Sequence, residues 1–393
     1  MSEMNRTPNP QRRAPAAPAG TATRQPVRKK KQKSGLAGRI IRRTLLMFFT
    51  IVILLLVGAV MILNQIFNGP STAARDTLVM SLTEASATKW VPGLFLDDEL
   101  VAQIRANVEA ELPDEYSNTD QIVINMGSSA GDTDEWANCP DGIRIEEIQG
   151  ETYLAHIMII RDPSKVYMAT STDGPYSKNT PGTRINNEIV TEGAIAAINA
   201  GAFNDDGSAN SYVGSIPAGL LLSNGVVRSN TYHDLVPEEG FAGFDKDNKL
   251  HVADKMTKAE AEALGIRDGC EFGPVLIQDG KVNQKTYNSN SGRNPRTAIG
   301  QRADGAVIFL CIDGRQADSL GGTYSEVIDL MLEYGAVNAC NMDGGSSSVM
   351  LYRDQYGLYG EPGQVQMINS YSLLQSEPRR MPNFWMVRPA QEG

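Results

Sequence analysis

Twenty consecutive residues without a charge, Thr44 to Leu63 (TLLMFFTIVILLLVGAVMIL), constrain this chain more than any other stretch. At about 1.5 Å of helical rise per residue the run spans roughly 30 Å, the thickness of a bilayer core. It reads as one transmembrane helix. The hydrophobic region of a signal peptide is usually shorter, although Ser71-Thr72-Ala73-Ala74 leaves cleavage open. A buried helix of a soluble core fits less well, because the charges flanking the run are one-sided. Residues 1–43 carry twelve Lys or Arg against a single acid, Glu3. Of the chain's 36 basic and 46 acidic residues, that leaves 24 and 45 for the remainder. Positive charge stays on the cytoplasmic side, which predicts a cytoplasmic N-terminus and an extracytoplasmic body. The basic tail also fits a nucleic-acid or nuclear-targeting patch. Attraction to anionic lipid explains it more simply beside a membrane span, so no nucleic-acid partner is expected. The Pro/Ala-rich start of the tail is expected to be disordered.

The domain reading follows from this division. Residues 1–43 are a basic tail, 44–63 the span, 64–141 an extracytoplasmic stalk or linker, and 142–393 the body. In the stalk, Ala73 to Leu82 and Leu96 to Leu112 read as helices. The second has Asp97 as cap and Leu100, Val101, Ile104 and Val108 at helical period. The body reads as an α+β (mixed α/β) fold: a twisted mixed β-sheet with hairpins and a βαβ unit, preceded by the membrane helix and a helical stalk. Asn224-Gly225 and Asp279-Gly280 mark two hairpins. Thr257 to Leu264 reads as a small amphipathic helix. The four cysteines, Cys139, Cys270, Cys311 and Cys340, include no CxxC pair, which argues against a zinc site. Cys139 and Cys270 lie in loop-like sequence and leave a disulfide open.

The chemistry concentrates in Asn341 to Ser348, NMDGGSSS. Asp343 sits between an amide and two glycines, at the end of one apolar strand (VNAC) and before another (VMLY). By itself this is a common turn pattern. The preceding segment changes the weighing. Arg296 to Gln301 and Ala306 to Ile312 form a hairpin ending in Asp313-Gly314-Arg315. Thr323 and Glu326 then cap a helix that Gly335 stops. Strand, helix, strand is a βαβ unit with parallel strands. Asp313 and Asp343 therefore reach one sheet edge, with Arg296 and Arg315 nearby. Ligands of open α/β sheets favour that edge. Two carboxylates suit glycosidic cleavage, and Arg suits phosphate. The plainer reading is a structural Asp–Arg pair. His156, His233 and His251 are scattered and read as structural.

The stretches AIAAINAGAF (194–203), PAGLLLSNG (217–225), GPVLIQDGKV (273–282), NPRTAIG (294–300), CIDGRQADSLGG (311–322) and NACNMDGGSSS (338–348) together resemble the phosphodiester glycosidase family, over roughly residues 150 to 390. Two local departures are Ala200 after Asn199 and Ser346 in place of a third glycine. The resemblance implies hydrolysis of a sugar-1-phosphodiester. It places Asn199, Arg296, Asp313, Arg315, Asn341, Asp343, Gly344 and Gly345 at the active site. Asp343 and Asp313 are the expected catalytic acids, with Glu192 as a further acid. Arg296, Arg315, Asn199, Asn341, Thr297, Gly344, Gly345 and Ser346 are expected to bind substrate or phosphate. No cofactor is required, and no motif demands a divalent cation near Asp313 and Asp343. The expected partners are a sugar-phosphate or envelope glycan and, through Thr44–Leu63, the membrane. The rival readings are a non-catalytic module that binds or assembles envelope glycan, and a transferase using Ser346, Ser347 or Ser348.

Overall fold

The computed structural model describes residues 36–69, 71–83, 88–106, 116–124, 136–204, 214–231, 240–371 and 377–389. Residues 1–35 of the basic tail, His233 and the end of the second expected stalk helix lie outside them. The chain divides into two units, Met1–Met61 and Ile62–Gly393. In the first, helix α1 (Leu36–Phe67) begins; its stretch Ile40–Phe67 is long and apolar enough to cross a membrane, and its most apolar window is not buried at all.

In the second unit, helices α2 (Thr72–Thr83) and α3 (Asp98–Ala106) bury Val79, Met80 and Ile104 with Phe67. Phe67 stacks on Phe95 at 5.0 Å. The N–H groups of Ser117 and Val123 then donate to Val252 and Ala303 of the body, both at 2.8 Å. The stretch expected to stand as a stalk is thus in part laid along the body.

The body's strands are β1 (Ile143–Gln149), β2 (Leu154–Ile160), β3 (Val166–Thr170), β4 (Thr183–Arg184), β5 (Ala196–Asn199), β6 (Gly219–Ser223), β7 (Val226–Thr231), β8 (Phe241–Asp245), β9 (Leu250–Ala253) and β10 (Ile266–Glu271). They continue as β11 (Val275–Gln278), β12 (Lys281–Val282), β13 (Arg296–Arg302), β14 (Val307–Ile312), β15 (Ala336–Met342), β16 (Met350–Arg353), β17 (Val365–Met367), β18 (Arg380–Met381) and β19 (Asn383–Val387). The helices are α4 (Ile185–Thr191), α5 (Lys258–Leu264), α6 (Gln284–Tyr287) and α7 (Tyr324–Glu333). Three sheets result, ordered β1-β2-β14-β13-β15-β11-β12, β7-β6-β10-β8-β9 and β17-β16-β5-β19-β3, with a small β18-β4 pair.

The fold is α+β, but the single mixed sheet is corrected to several sheets whose described pairs are antiparallel. The βαβ unit exists in split form. β14 and β15 are both antiparallel to β13 and so run parallel to each other, but β13 lies between them. It takes that place because the short turn at Ala303–Gly305 hairpins it onto β14, and the α7 crossover must step over it.

One core lies between the three sheets, with Met158, Ile198, Phe244, Phe309, Met342 and Trp385 among its buried members. The outer faces are closed separately. α7 covers the first sheet through Val327, Ile328 and Met331. α4 covers the third through Ile185 and Ile189, and α5 the second through Ala261. Buried Gln301 ties the first two sheets together: its Oε1 accepts from the Leu250 N–H at 2.6 Å, and its amide donates to Asn248 and Gly305 at 2.9 Å.

Local signals fare well. Asn224-Gly225 and Asp279-Gly280 turn with positive φ at both residues (53° and 73°, 55° and 72°), as type I′ hairpins need. Thr323 and Glu326 form the expected capping box on α7, and Thr257 and Glu260 form one on α5. No disulfide joins Cys139 to Cys270, so the bridge left open is not formed in this structure. Cys270 is buried, and burial pushes its thiol well up.

Two measurements check this packing. Thr323→Ala removes the α7 cap and should cost about 1 kcal/mol, read as a lower urea midpoint with unchanged slope. Tyr352 donates to the buried Asp141 at 2.8 Å, and burial followed by that carboxylate pushes its phenol above the ordinary 10.0. The unfolded phenol ionises first, so this stability is complete below about pH 10 and is lost as the pH rises beyond it. Alkaline melts should show that loss, and Tyr352→Phe should make it shallower.

Candidate functional site

The site is built where the chain leaves the first sheet and enters the third. β15 ends at Met342, and the Asp343 N–H donates to the carbonyl of Ala200, just past β5, at 3.0 Å. The loop Asp343–Ser348 then carries the chain into β16, which pairs with β5. Asn199, the last residue of β5 and fully buried, holds this crossing together. Its Nδ2 donates to the Asp343 carbonyl at 2.5 Å. Its Oδ1 accepts from the Thr297 hydroxyl at 2.9 Å and the Val349 N–H at 3.1 Å. Asn199 and Thr297 are therefore fasteners beneath Asp343 rather than groups open to a ligand.

The two glycines after Asp343 permit close approach. A side chain at Gly344 would meet the Pro295 carbonyl at 2.8 Å, and Gly345 has φ +61°. The Gly345 N–H donates to that same carbonyl at 2.9 Å. Arg315 lies over Gly345, within about 3.5 Å of where its Cβ would be, and donates to Asn294 Oδ1 at 3.0 Å. Arg315 itself has φ +59°, strained for a residue with a side chain.

Ser346 is met from the other side by residues the sequence reading missed. The Tyr371 hydroxyl donates to the Ser346 carbonyl at 2.6 Å and accepts from the Arg379 N–H at 3.1 Å. The Arg379 guanidinium reaches Ser346 Oγ at 3.4 Å and lies 4.7 Å over the Phe203 ring. Burial raises the Tyr371 phenol; the nearby Arg379 acts against this, and Asp343 adds to it. Half-buried Asp343, Tyr371, Ser346 and Arg379 thus share one locality with exposed Arg315. Tyr371 and Arg379 follow a polar, Pro-containing stretch without periodicity, and nothing in their local sequence marks them.

Four more of the expected site residues have their side chains engaged away from Asp343. Arg296 was expected to hold phosphate. By strand alternation it shares the α7 face with Ala298 and Ile312. Its guanidinium donates to Gly322 and Gly292 carbonyls at 3.1 and 2.8 Å and stacks over Tyr324 at 4.1 Å. Asp313 lies toward the opposite, central face, with His156. Its carboxylate is buried and engaged: Oδ1 accepts from Asn369 at 3.1 Å, and Oδ2 meets the Ser370 N–H at 3.0 Å and His156 Nε2 at 3.1 Å. Glu192 sits at the opposite end of β5 from Asn199, exposed, and accepts from the Tyr167 hydroxyl at 3.3 Å. Neighbouring strand residues alternate faces, so reaching the same edge did not put Arg296 and Asp313 on the same side. Asn341 is also turned away, donating to the Gly273 carbonyl at 2.7 Å.

Among the described residues, no three His, Cys, Asp or Glu side chains gather as a metal site. An open groove of about 450 Å³ lined by Asn186, Val190, Arg353 and Met367 lies elsewhere, toward the far end of β16.

Comparison with known proteins gives the following. The phosphodiester glycosidase family model matches residues 192–388. The uncharacterised SPbeta prophage-derived protein YomE of Bacillus subtilis (strain 168) is 30% identical over 174 residues, covering 42% of this chain and 25% of YomE. The chain thus spans about a quarter of that relative's length. The catalytic domain of zebrafish N-acetylglucosamine-1-phosphodiester alpha-N-acetylglucosaminidase, auto-inhibited by its pro-peptide, is 18% identical. That match covers 64% of this chain and 85% of that one, with a TM-score of 0.47. A Synechocystis protein of solved structure is 16% identical, with 64% and 63% coverage and a TM-score of 0.40. The family model reaches from the foot of β5 to the end of β19 and takes in Asn199, Asp343, Tyr371 and Arg379, so this chain belongs to the phosphodiester glycosidase family.

Proposed function

We propose that the chain is a membrane-anchored, extracytoplasmic hydrolase that cleaves the sugar–oxygen bond of a sugar-1-phosphodiester carried on cell-envelope glycan or exopolysaccharide. The observation that carries this is a half-buried carboxylate, Asp343, in one locality with two guanidiniums, Arg315 and Arg379, within a phosphodiester glycosidase domain. A phosphodiester leaves as a stable phosphomonoester anion, so its departure needs little proton donation. One carboxylate is then enough, and the commitment of Asp313 elsewhere is no obstacle. Asp343 faces the oxocarbenium-like centre and stabilises or attacks it. Arg379 and Arg315 take the charge developing on the departing phosphate. Ser346 and the glycine backbone shape the floor, and Phe203 holds the Arg379 plane. The apolar helix and the basic residues before it support anchoring with the body outside.

Full-length protein should convert a GlcNAc-1-phosphodiester to free sugar and phosphomonoester, followed by phosphorus NMR. Asp343→Asn should lower kcat by about 10²-fold or more while substrate still binds. Binding without turnover, unchanged in Asp343→Asn, would instead identify a non-catalytic glycan-binding module. The arginines should separate. Arg379→Ala should lower kcat/KM by about 10²-fold. Arg296→Met should chiefly lower the melting temperature, because it takes the guanidinium donor from the buried Gly292 carbonyl, at roughly 1–3 kcal/mol, and leaves the Gly322 carbonyl only the Asn294 N–H.

A further inference from the structure

The engaged carboxylate of Asp313 holds a piece of chain that leads directly into the site. Asn369 donates to Asp313 Oδ1 at 3.1 Å and to the Ser348 carbonyl at 3.3 Å, and its Oδ1 accepts from the Met350 N–H at 2.8 Å. The Ser370 N–H donates to Asp313 Oδ2 at 3.0 Å. The next residue is Tyr371, whose hydroxyl joins the Ser346 carbonyl to the Arg379 N–H. Hydrogen bonds, joined by the covalent step from Ser370 to Tyr371, therefore connect Asp313 to the backbone of Arg379.

His156 completes the grip. It stands opposite Cys311 on β2 and is buried, and its Nε2 lies 3.1 Å from Asp313 Oδ2. A carboxylate only accepts, so Nε2 carries the hydrogen. Its Nδ1 lies 4.0 Å from the exposed Glu147. The Ser319 hydroxyl fixes the Asp313 backbone by donating to its carbonyl at 2.6 Å. Three N–H donors on one buried carboxylate make it a rigid anchor.

We propose that Asp313, braced by His156, is a positioning residue: through Asn369 and Ser370 it sets Tyr371, and through Tyr371 it sets Arg379 and the Ser346 loop against Asp343. This rests on the reading of the site under Proposed function. Tyr371 is the transmitting group, since its one hydroxyl both donates and accepts.

The test is a double-mutant cycle on full-length protein with a GlcNAc-1-phosphodiester, joined to fluorine NMR of 3-fluorotyrosine placed at position 371. Asp313→Asn keeps the shape but turns an N–H₂ toward a donor. It should lower kcat about tenfold or more, with KM changed by less than about threefold. Tyr371→Phe should lower kcat as well, and the double variant should be little worse than the more damaged single one. The fluorine resonance should shift in Asp313→Asn. Should Asp313→Asn not fold, His156→Leu removes one donor only and should give a smaller loss, the same non-additivity and the same direction of fluorine shift. Losses that multiply, with an unmoved fluorine signal, would overturn the positioning role. A moved signal in a chain without turnover in any form would support the positioning role and instead sink the hydrolase reading.

Discussion

The site depends on one buried amide. Asn199 ends a strand of the third sheet, yet its three hydrogen bonds go to Thr297 of the first sheet, to the carbonyl of Asp343 and to the N–H of Val349. It is fully buried, and a buried amide left unpaired costs roughly 1–3 kcal/mol per group. That penalty makes the arrangement specific, because sliding one sheet against the other breaks the bond to Thr297 while the bond to Val349 keeps Asn199 fixed in its own sheet. Asp343 is thereby held by its backbone at both its N–H and its carbonyl.

The same division of labour recurs around the site. Arg296 and Asp313 are charged and buried, and each is consumed by bonds that fix loops: Arg296 holds Gly292 and Gly322, and Asp313 holds Asn369 and Ser370. Buried charges are tolerated when their hydrogen-bonding capacity is filled in this way. Arg315, Arg379 and Asp343 remain less buried, on loops, where a ligand can reach them. The stretches that carry the phosphodiester glycosidase resemblance thus include partly exposed loop residues and buried residues that fix loops.

What could be read from the sequence was local. The Asn224-Gly225 and Asp279-Gly280 hairpins, the Thr323–Glu326 cap and the apolar run of α1 depend on neighbours in the chain, and they stand in the structure. Asp343 and Arg315 stand out in the sequence because Asp-Gly and Gly-Arg punctuate strand ends. The residues misplaced were those whose side depends on strand alternation and on which sheet packs where. Arg296 and Asp313 reach one edge but opposite faces, and β13 enters between β14 and β15, which a βαβ pattern cannot reveal. α4, Tyr371 and Arg379 were missed because their surroundings are polar and aperiodic. Their roles come from contacts made across about 25 residues or more of chain.

A crystal structure of the protein with a bound sugar phosphate tests the central claim most directly. The account predicts the phosphate against the guanidiniums of Arg379 and Arg315, with the anomeric carbon facing the Asp343 carboxylate. A sugar phosphate seated in the groove beside Asn186 and Arg353, with Asp343 out of reach, would contradict it.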